Sequence, residues 1–188
     1  IVKKKMAVPF SAKLSPQVSD LASVARAAEN SGADALTVQA RLSGIMIDIE
    51  TASPLGWGSI GGYGGPYLLG YGLKGVSEVA SKVRIPISAV LGVWSWDDII
   101  RYIMVGATTV QSATAVILRG YKVAKSWLNN MIRWMEKKGY ESIYDFTGAA
   151  LKKIVSTRDV TRAPADIYVE VDKEGCTGCG ECRVSCFY

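Results

Sequence analysis

Residues 86–112 read PISAVLGVWSWDDIIRYIMVGATTVQS and contain one complete strand–helix–strand unit. The mainly apolar run over residues 86–91 predicts a short buried strand. Ser95 stands where it can cap the next helix, and two aspartates in the first turn favour the helix dipole. Gly106 ends that helix, and a second strand is predicted over residues 108–112.

The same alternation of strand and helix extends on both sides of this unit. Short strands that alternate with longer helices indicate consecutive βα units and a parallel sheet. No strand-to-helix turn carries a glycine-rich fingerprint, so four such units favour half of a (β/α)8 barrel over a doubly wound sheet. The other predicted elements are strands over residues 9–14 and 33–38, a long loop to residue 66, and helices over residues 19–32, 67–82, 120–138 and 141–151.

The composition excludes several kinds of chemistry. The chain has 188 residues, 49% of them hydrophobic and 21% charged, as in ordinary globular domains. It contains no histidine, so these residues cannot form a Ser-His-Asp triad, a Cys-His pair or a His-based zinc site. The net charge of +5 is scattered among acids, and no apolar run has the length of a membrane-spanning helix. We therefore expect neither nucleic-acid binding nor a membrane association.

The four cysteines lie close together, in the spacing C-x2-C-x2-C-x3-C. Because a secreted disulfide framework would spread its cysteines along the chain, this concentration predicts metal ligands, a reducing compartment and a cytoplasmic protein. The spacing is that of the bacterial ferredoxin run for a [4Fe–4S] cluster. A structural zinc knuckle and a redox dithiol are the alternatives. We expect Cys176, Cys179 and Cys182 to bind one cluster.

The fourth cysteine, Cys186, has a less defined role. In two-cluster ferredoxins the last cysteine of such a run ligates the other cluster. Here Phe187 replaces the proline that usually follows, and no second cysteine run is present. Cys186 is therefore expected to complete the cluster, to ligate a neighbouring one, or to be left spare.

The cysteines belong to a segment that is distinct from the βα units. The sequence becomes polar and aperiodic after Leu151, and a short alternating strand precedes the cysteines. We predict a half-barrel over residues 1–151, a linker over residues 152–165, and a ferredoxin-like iron–sulfur segment, apparently incomplete, over residues 166–188.

A single cation, Lys13, ends the first predicted strand. In a barrel that end of the strand faces the active site. A lysine there can serve as a Schiff-base nucleophile, a phosphate partner or a cation beside a flavin ring. The structural alternative is a lysine whose stem lies on the barrel rim with its charge in water.

Glycine-rich loops converge on the same face of the predicted barrel. Residues 56–65 hold six of the 19 glycines, and Gly61-Gly-Tyr-Gly-Gly65 comes just before a helix, where backbone N–H groups can face an anion. Leu91-Gly92 and Ala113-Thr114 follow two strands at positions where such barrels commonly bind phosphate. Five aromatic residues are expected near this mouth, either as packing or to stack on a planar ligand: Trp57, Tyr63, Tyr67, Trp94 and Trp96.

Together these stretches resemble the second half of the dihydroorotate dehydrogenase family, most closely its dihydropyrimidine dehydrogenase branch, whose flavin barrel is followed by a ferredoxin-like segment. The similarity covers residues 8–151 and resumes at the cysteines. The stretches that carry it are Ala12-Lys13-Leu14-Ser15-Pro16, Gly32-Ala-Asp34, Gly61-Gly-Tyr-Gly-Gly-Pro66, Ile85-Pro86, Gly106-Ala107 and Val110-Gln111.

The resemblance implies the C-terminal half of an FMN-binding (β/α)8 barrel that reduces or oxidises a C–C double bond in a pyrimidine ring. Lys13 matches the lysine beside the N1–C2=O edge of the flavin, where its charge stabilises reduced, anionic flavin. Gly64, Gly65, Gly92 and Thr114 match loop positions whose backbone amides hold the FMN phosphate.

Three departures from the family pattern bear on function. The Asn-Thr pair that hydrogen-bonds the pyrimidine falls on Ala40-Arg41, so Arg41 is predicted to pair instead with a carboxylate or another anion. Leu91 and Ala113 stand where the family has glycine. The family's catalytic base lies in the first half of the barrel and has no counterpart in this sequence.

We therefore predict a flavin- and iron–sulfur-dependent oxidoreductase that acts on the CH–CH group of a small ring or anionic substrate. One alternative is an electron-transfer or scaffold subunit that keeps the cluster and has lost pyrimidine chemistry, and another is a non-redox barrel that acts on a phosphosugar. The expected partners are four further βα units, from an upstream segment or a separate chain, and a ferredoxin or an NAD(P)H-oxidising subunit. An oligomer is expected.

Overall fold

The computed structural model describes residues 7–56, 60–160 and 170–182. The chain divides into two compact units, Ile1–Ile154 and Val155–Tyr188. No helix in the described ranges is long and apolar enough to cross a bilayer. The elements of the first unit are β1 (Ser11–Lys13), α1 (Leu21–Asn30), β2 (Ala35–Val38), β3 (Leu42–Gly44), β4 (Ile47–Asp48), β5 (Ser53–Pro54), β6 (Gly61–Tyr63), α2 (Leu69–Ala80), β7 (Ile87–Val90), α3 (Trp96–Met104), β8 (Thr109–Gln111), α4 (Thr114–Arg119) and α5 (Lys122–Lys138), with 3-10 turns at Pro66–Leu68, Ile143–Asp145 and Leu151–Lys153.

A four-stranded parallel sheet organises the first unit, with the strand order β1-β2-β7-β8. Leu36 of β2 is in register with Ala12 on one side and Ile87 on the other, and Ala89 of β7 is in register with Val110. Neighbouring strands therefore follow one another along the chain, without the reversal of order that defines a doubly wound sheet. This topology fits part of a (β/α)8 barrel, as the sequence predicts.

The two faces of this sheet differ in chemistry. Alternate residues such as Leu36, Val38 and Ala89 are fully buried, and they pack with apolar residues of α1 and α2 into the main core. The opposite face carries mostly hydroxyl, amide and ammonium groups, as expected for a period of two along each strand. Its polar members are Ser11, Lys13, Thr37, Ser88, Thr109 and Gln111.

Side-chain caps and a glycine mark the helix boundaries. Asp20 is the N-cap of α1 and accepts a hydrogen bond from the Ser23 N–H at 2.9 Å. Ser95 and Asp98 form a capping box at the start of α3, where each side chain accepts from the other residue's backbone N–H. Gly106 closes α3 in the left-handed region, with φ of 102°.

Three parts of the chain differ from the prediction. The long loop before α2 contains two antiparallel pairs, β3 with β6 and β4 with β5. The helix predicted over residues 141–151 is wrong, because this segment forms two separate 3-10 turns around Gly148, whose φ is 72°. The long last helix is preceded by the short helix α4. The strand predicted before the cysteines falls mainly on residues 161–169, outside the described residues.

Candidate functional site

A cavity of about 450 Å³ lies at the carboxyl ends of the parallel strands. It falls in the size range of small-molecule sites, and its position is the one at which parallel α/β barrels bind ligands. All six residues outside the cysteine segment that the sequence singled out as site residues line it: Lys13, Arg41, Gly64, Gly65, Gly92 and Thr114. The structure thus brings these residues together, and their individual roles stay predictions.

The cavity carries positive charge. Lys13, the last residue of β1, and Arg41, which follows β2, both line it, and none of its described lining residues is an aspartate or glutamate. The Arg41 side chain lies over Gly62, since a Cβ built on Gly62 would come within 2.8 Å of the Arg41 Cδ. Two cations without a neighbouring carboxylate favour an anionic ligand.

The antiparallel pair β3–β6 positions the glycine-rich wall. Leu42 pairs with Tyr63 and Gly44 with Gly61, so the first part of the predicted glycine loop is a strand. The Tyr67 O–H then donates to the Gly64 carbonyl at 2.6 Å. Gly64 itself stays open, because a Cβ built on it meets nothing within 4 Å. The Tyr67 hydrogen bond therefore fixes the backbone at Gly64, while the space next to its Cα stays free.

A second wall is the loop between β7 and α3. Both oxygens of the Asp98 carboxylate are used: one accepts from the backbone N–H groups of Trp94 and Ser95, each at 2.9 Å, and the other accepts from Arg101 at 2.7 Å. These bonds fix Trp94 against the cavity. The Arg119 guanidinium lies 4.1 Å from the centre of the Trp94 ring and donates to the Trp94 carbonyl at 3.1 Å.

Leu91 and Gly92, at the end of β7, both have backbone angles in the left-handed region, with φ of 112° and 72°. Leu91 is one of two non-glycine residues with positive φ in the described chain. The hydroxyl of fully buried Tyr102 donates to its carbonyl, and burial raises the pKa of Tyr102 above its ordinary value. Gly92 approaches α2 so closely that a Cβ would collide with the Leu69 backbone.

The third wall follows β8. Ser112 donates its hydroxyl to the Val93 carbonyl at 3.2 Å, which ties this strand end to the loop after β7. Ala113 has φ of −116°, an ordinary value for an L-residue. The backbone conformation at this point therefore does not require the glycine that the family has there.

The predicted aromatic residues separate into three groups. Tyr63 and Trp94 line the cavity. Tyr67 packs on Tyr63, with ring centres 5.6 Å apart, and Trp96 packs against the core rather than the cavity. Trp57 lies outside the described residues.

Sequence reasoning missed Gln39, which directly follows β2. The residue is 97% buried, it lines the cavity, and its Oε1 has no hydrogen-bond partner within the described residues. A glutamine at the end of an otherwise apolar strand is the only local signal that marked it. Tyr102 was missed as well, because a tyrosine on the apolar stripe of a helix looks like ordinary core.

The cysteine segment gives a different picture. Cys176, Cys179 and Cys182 are free and exposed, and Cys186 lies outside the described residues. No three His, Cys, Asp or Glu side chains in the described ranges are grouped as metal ligands. Hydrogen bonds from the Glu181 N–H and from Thr177 lower the pKa of the Cys179 thiol.

The fold and the cavity together define an α/β protein with part of a (β/α)8 barrel and a positively charged cavity at its strand ends. The family model for dihydroorotate dehydrogenase matches residues 1–135. The chain belongs to the dihydroorotate dehydrogenase family.

Two similar proteins illustrate the range of this family. The chain is 38% identical over 144 residues to the catalytic subunit of dihydroorotate dehydrogenase B (NAD(+)) of Pyrococcus horikoshii, which covers 77% of this chain and 48% of that protein. It is 27% identical over 194 residues to the NAD-dependent dihydropyrimidine dehydrogenase subunit PreA of Escherichia coli K12, which covers 99% of this chain and 47% of that protein. The chain thus spans about half the length of these curated relatives.

Proposed function

We propose that this chain forms part of a flavin- and iron–sulfur-dependent dehydrogenase that acts on the CH–CH group of a small ring or anionic substrate. The observation that carries the proposal is the cavity at the strand ends, which contains two cations, no acidic lining residue among those described, and glycines on two walls. Relatives named as dihydroorotate and dihydropyrimidine dehydrogenase subunits support the same class of reaction.

The residues present fit FMN. The open Cβ position at Gly64 and the left-handed Gly92 let a phosphate approach the backbone, and Thr114 adds a hydroxyl at the same cavity. Gly64, Gly65, Gly92 and Thr114 would hold the phosphate, with Lys13 beside the flavin ring. When bound, FMN supplies a centre that accepts and donates two electrons together with a proton.

Lys13 would act by its charge. It ends β1, in register with Thr37, so its position relative to the sheet is fixed by backbone pairing. Lys13 is exposed at the cavity, and its ammonium group would stabilise a negative charge on a ring bound beside it by direct Coulomb attraction. Lys13 therefore favours the anionic, reduced state of a ring placed beside it.

Arg41 would select the substrate. Ala40 offers no side-chain donor or acceptor where the family's pyrimidine contact stands, whereas Arg41 presents a forked donor in the same cavity. A guanidinium pairs with a carboxylate through two parallel hydrogen bonds. We therefore expect an anionic substrate and poor turnover of uracil and orotate.

The cysteine segment would supply an electron-transfer centre. Three thiols in the spacing of a ferredoxin run, with Gly178 and Gly180 in left-handed conformations between them, have the donor chemistry of a [4Fe–4S] cluster. Cys176, Cys179 and Cys182 would hold it, with Cys186 as fourth ligand or as ligand of a neighbouring cluster. Such a cluster requires a reducing compartment and a redox partner, which we propose to be a ferredoxin or an NAD(P)H-oxidising subunit.

The half-barrel would need further βα units. On the polar face of the sheet Ser11, Lys13, Thr109 and Gln111 are exposed, and β1 and β8 are edge strands. A closed barrel removes such edges. We propose that four more βα units, in the same protein or in a partner chain, complete the barrel and carry the catalytic acid or base. A soluble, cooperatively unfolding monomer of residues 1–188 alone in sedimentation and thermal unfolding would contradict this.

The decisive experiment is anaerobic purification followed by a visible spectrum and an assay of acid-released flavin. We expect stoichiometric FMN. Lys13→Ala should then lower the reduction potential of the bound flavin, whereas the matched surface substitution Lys125→Ala should leave it unchanged. A protein that contains no flavin and does not bind added FMN would contradict the proposed activity.

The predicted substrate preference is tested on the intact assembly. Uracil and orotate should be poor substrates, because the hydrogen-bonding match at residue 40 is missing. Arg41→Ala should raise KM for an anionic substrate. Arg41→Lys keeps the positive charge but cannot form two parallel hydrogen bonds, so its KM should lie between those of the wild type and Arg41→Ala. Efficient turnover of uracil would overturn this assignment.

The second candidate is an electron-transfer or scaffold subunit that keeps the cluster and has no substrate chemistry. Leu91 favours it, because its side chain stands where the family has glycine at the end of β7. This candidate predicts iron and sulfide in the purified protein without flavin.

A further inference from the structure

We propose that Tyr102 is a positioning residue that turns the Gly92 amide toward the cavity, where this N–H binds the phosphate group of the ligand. The phosphate ligand in this inference rests on the proposed function, whereas the direction of the amide rests on the structure alone. Tyr102 lies on α3, outside the cavity lining, and acts only through the peptide bond between Leu91 and Gly92.

The direction of the amide follows from peptide geometry. The Tyr102 hydroxyl donates to the Leu91 carbonyl, so that carbonyl points away from the cavity into the buried layer between sheet and helices. In a planar trans peptide the N–H of the next residue points the opposite way. The Gly92 N–H is therefore directed toward the cavity, and within the described chain it donates no hydrogen bond.

Close packing restricts the Tyr102 side chain to this orientation. Its side chain is fully buried, and a Cβ on Gly72 of α2 would collide with its hydroxyl oxygen. Gly72 therefore provides the space in which the hydroxyl reaches Leu91. Because burial raises the pKa of Tyr102, the hydroxyl remains a neutral donor at physiological pH.

The hydrogen bond from Tyr102 also explains how a leucine can occupy position 91 with a positive φ. A residue with a Cβ at φ of 112° is strained, and such strain persists only where surrounding contacts hold it. The Tyr102 bond provides such a contact at Leu91. The loop thus keeps the positive φ at residue 91 that a glycine would adopt without this hydrogen bond.

The test compares FMN with riboflavin, which lacks the phosphate, in the intact protein as purified and stripped of flavin. Tyr102→Phe should weaken FMN binding about tenfold, the size of one hydrogen bond, and change riboflavin binding less than about twofold. Tyr71→Phe is the matched control, since the Tyr71 hydroxyl also donates to a backbone carbonyl, that of Pro16 at 3.0 Å, away from this cavity. It should leave both affinities unchanged.

A second variant separates positioning from general destabilisation. Leu91→Gly in the Tyr102→Phe background should return FMN affinity to within about twofold of the wild type, because glycine needs no hydrogen bond to keep φ positive. Equal loss of FMN and riboflavin binding in Tyr102→Phe, or no loss of either, would overturn the inference. So would a failed rescue.

Inorganic phosphate distinguishes this inference from the proposed function. If the wild type binds phosphate at the Gly92 amide, seen as a shift of its NMR signal, and Tyr102→Phe weakens that binding, the inference holds even if flavin does not bind. If the wild type binds neither phosphate nor FMN, both proposals fail. If FMN binds normally to Tyr102→Phe, only this inference fails.

Discussion

The cavity and the cysteine segment were both recognisable from sequence, yet they differ in how far the folded chain organises them. Around the cavity, strand pairing and side-chain hydrogen bonds bring six dispersed residues to one place. In the cysteine segment, the three described thiols are exposed and are not grouped as ligands. A parallel sheet builds its site from its own packing, whereas metal ligands are commonly organised by the metal itself. The comparison therefore predicts different responses to mutation.

The largest expected effect concerns the proposed [4Fe–4S] cluster. Cys179→Ala should strongly reduce the iron and acid-labile sulfide of the anaerobically purified protein, because it removes one of the three thiolates that we propose hold the cluster. It should leave the thermal unfolding of the first unit unchanged, since no core residue is altered. Iron analysis and circular dichroism provide the two measurements.

Glu181→Gln is the matched control, because it removes a charge beside Cys179 and keeps the backbone N–H that donates to the sulfur. It should retain iron. Stoichiometric zinc without iron in the wild type would refute the cluster and favour a zinc knuckle. A lower unfolding temperature in Cys179→Ala would show that the two regions are not organised separately.

A second prediction compares two glycines of the cavity. Gly92→Ala should destabilise the fold by about 2–4 kcal/mol, because an L-residue is strained at positive φ and its Cβ would collide with the Leu69 backbone. Gly64→Ala should cost less than about 0.5 kcal/mol, because nothing lies within 4 Å of the added methyl. Urea unfolding of both variants measures the difference. Equal destabilisation would mean that packing does not determine the shape of the cavity.

The sequence predicted the βα units because their signals are local. The N-cap at Asp20, the capping box at Ser95 and the glycine that ends α3 each act within one or two turns of helix. Lys13 and Thr114 could be assigned to one site because the carboxyl ends of parallel strands meet on the same face.

What the sequence did not predict depends on distant partners. The segment after α5 is drawn into 3-10 turns because the Gly148 N–H donates to the Ile103 carbonyl and the Ala150 N–H to the Met104 carbonyl, both at the end of α3. Phe146 is fully buried there. The link between Tyr102 and Leu91 has no local signal either, since it spans 11 residues and depends on space left by a glycine of another helix.

The smallest expected effect concerns the pH dependence of the first unit. The Ser23 hydroxyl and backbone N–H donate to the Asp20 carboxylate, which lowers its pKa below the ordinary value of 3.8. A group whose pKa is lowered by folding stabilises the fold above its unfolded pKa, and this contribution is lost as the pH falls through the folded pKa. Asp20→Ala should therefore lower the unfolding temperature at neutral pH.

The pH dependence of the unfolding temperature distinguishes loss of the Asp20 cap from a general destabilisation of α1. The difference between the wild type and Asp20→Ala should shrink as the pH falls below the ordinary value of 3.8 and through the lowered pKa. Asp20→Asn is the matched control, because asparagine is also a favourable N-cap and does not titrate in this range. Its stability relative to Asp20→Ala should not depend on pH. If the wild type kept its full advantage over Asp20→Ala at about pH 2, the charge of the carboxylate would not be what stabilises the start of α1.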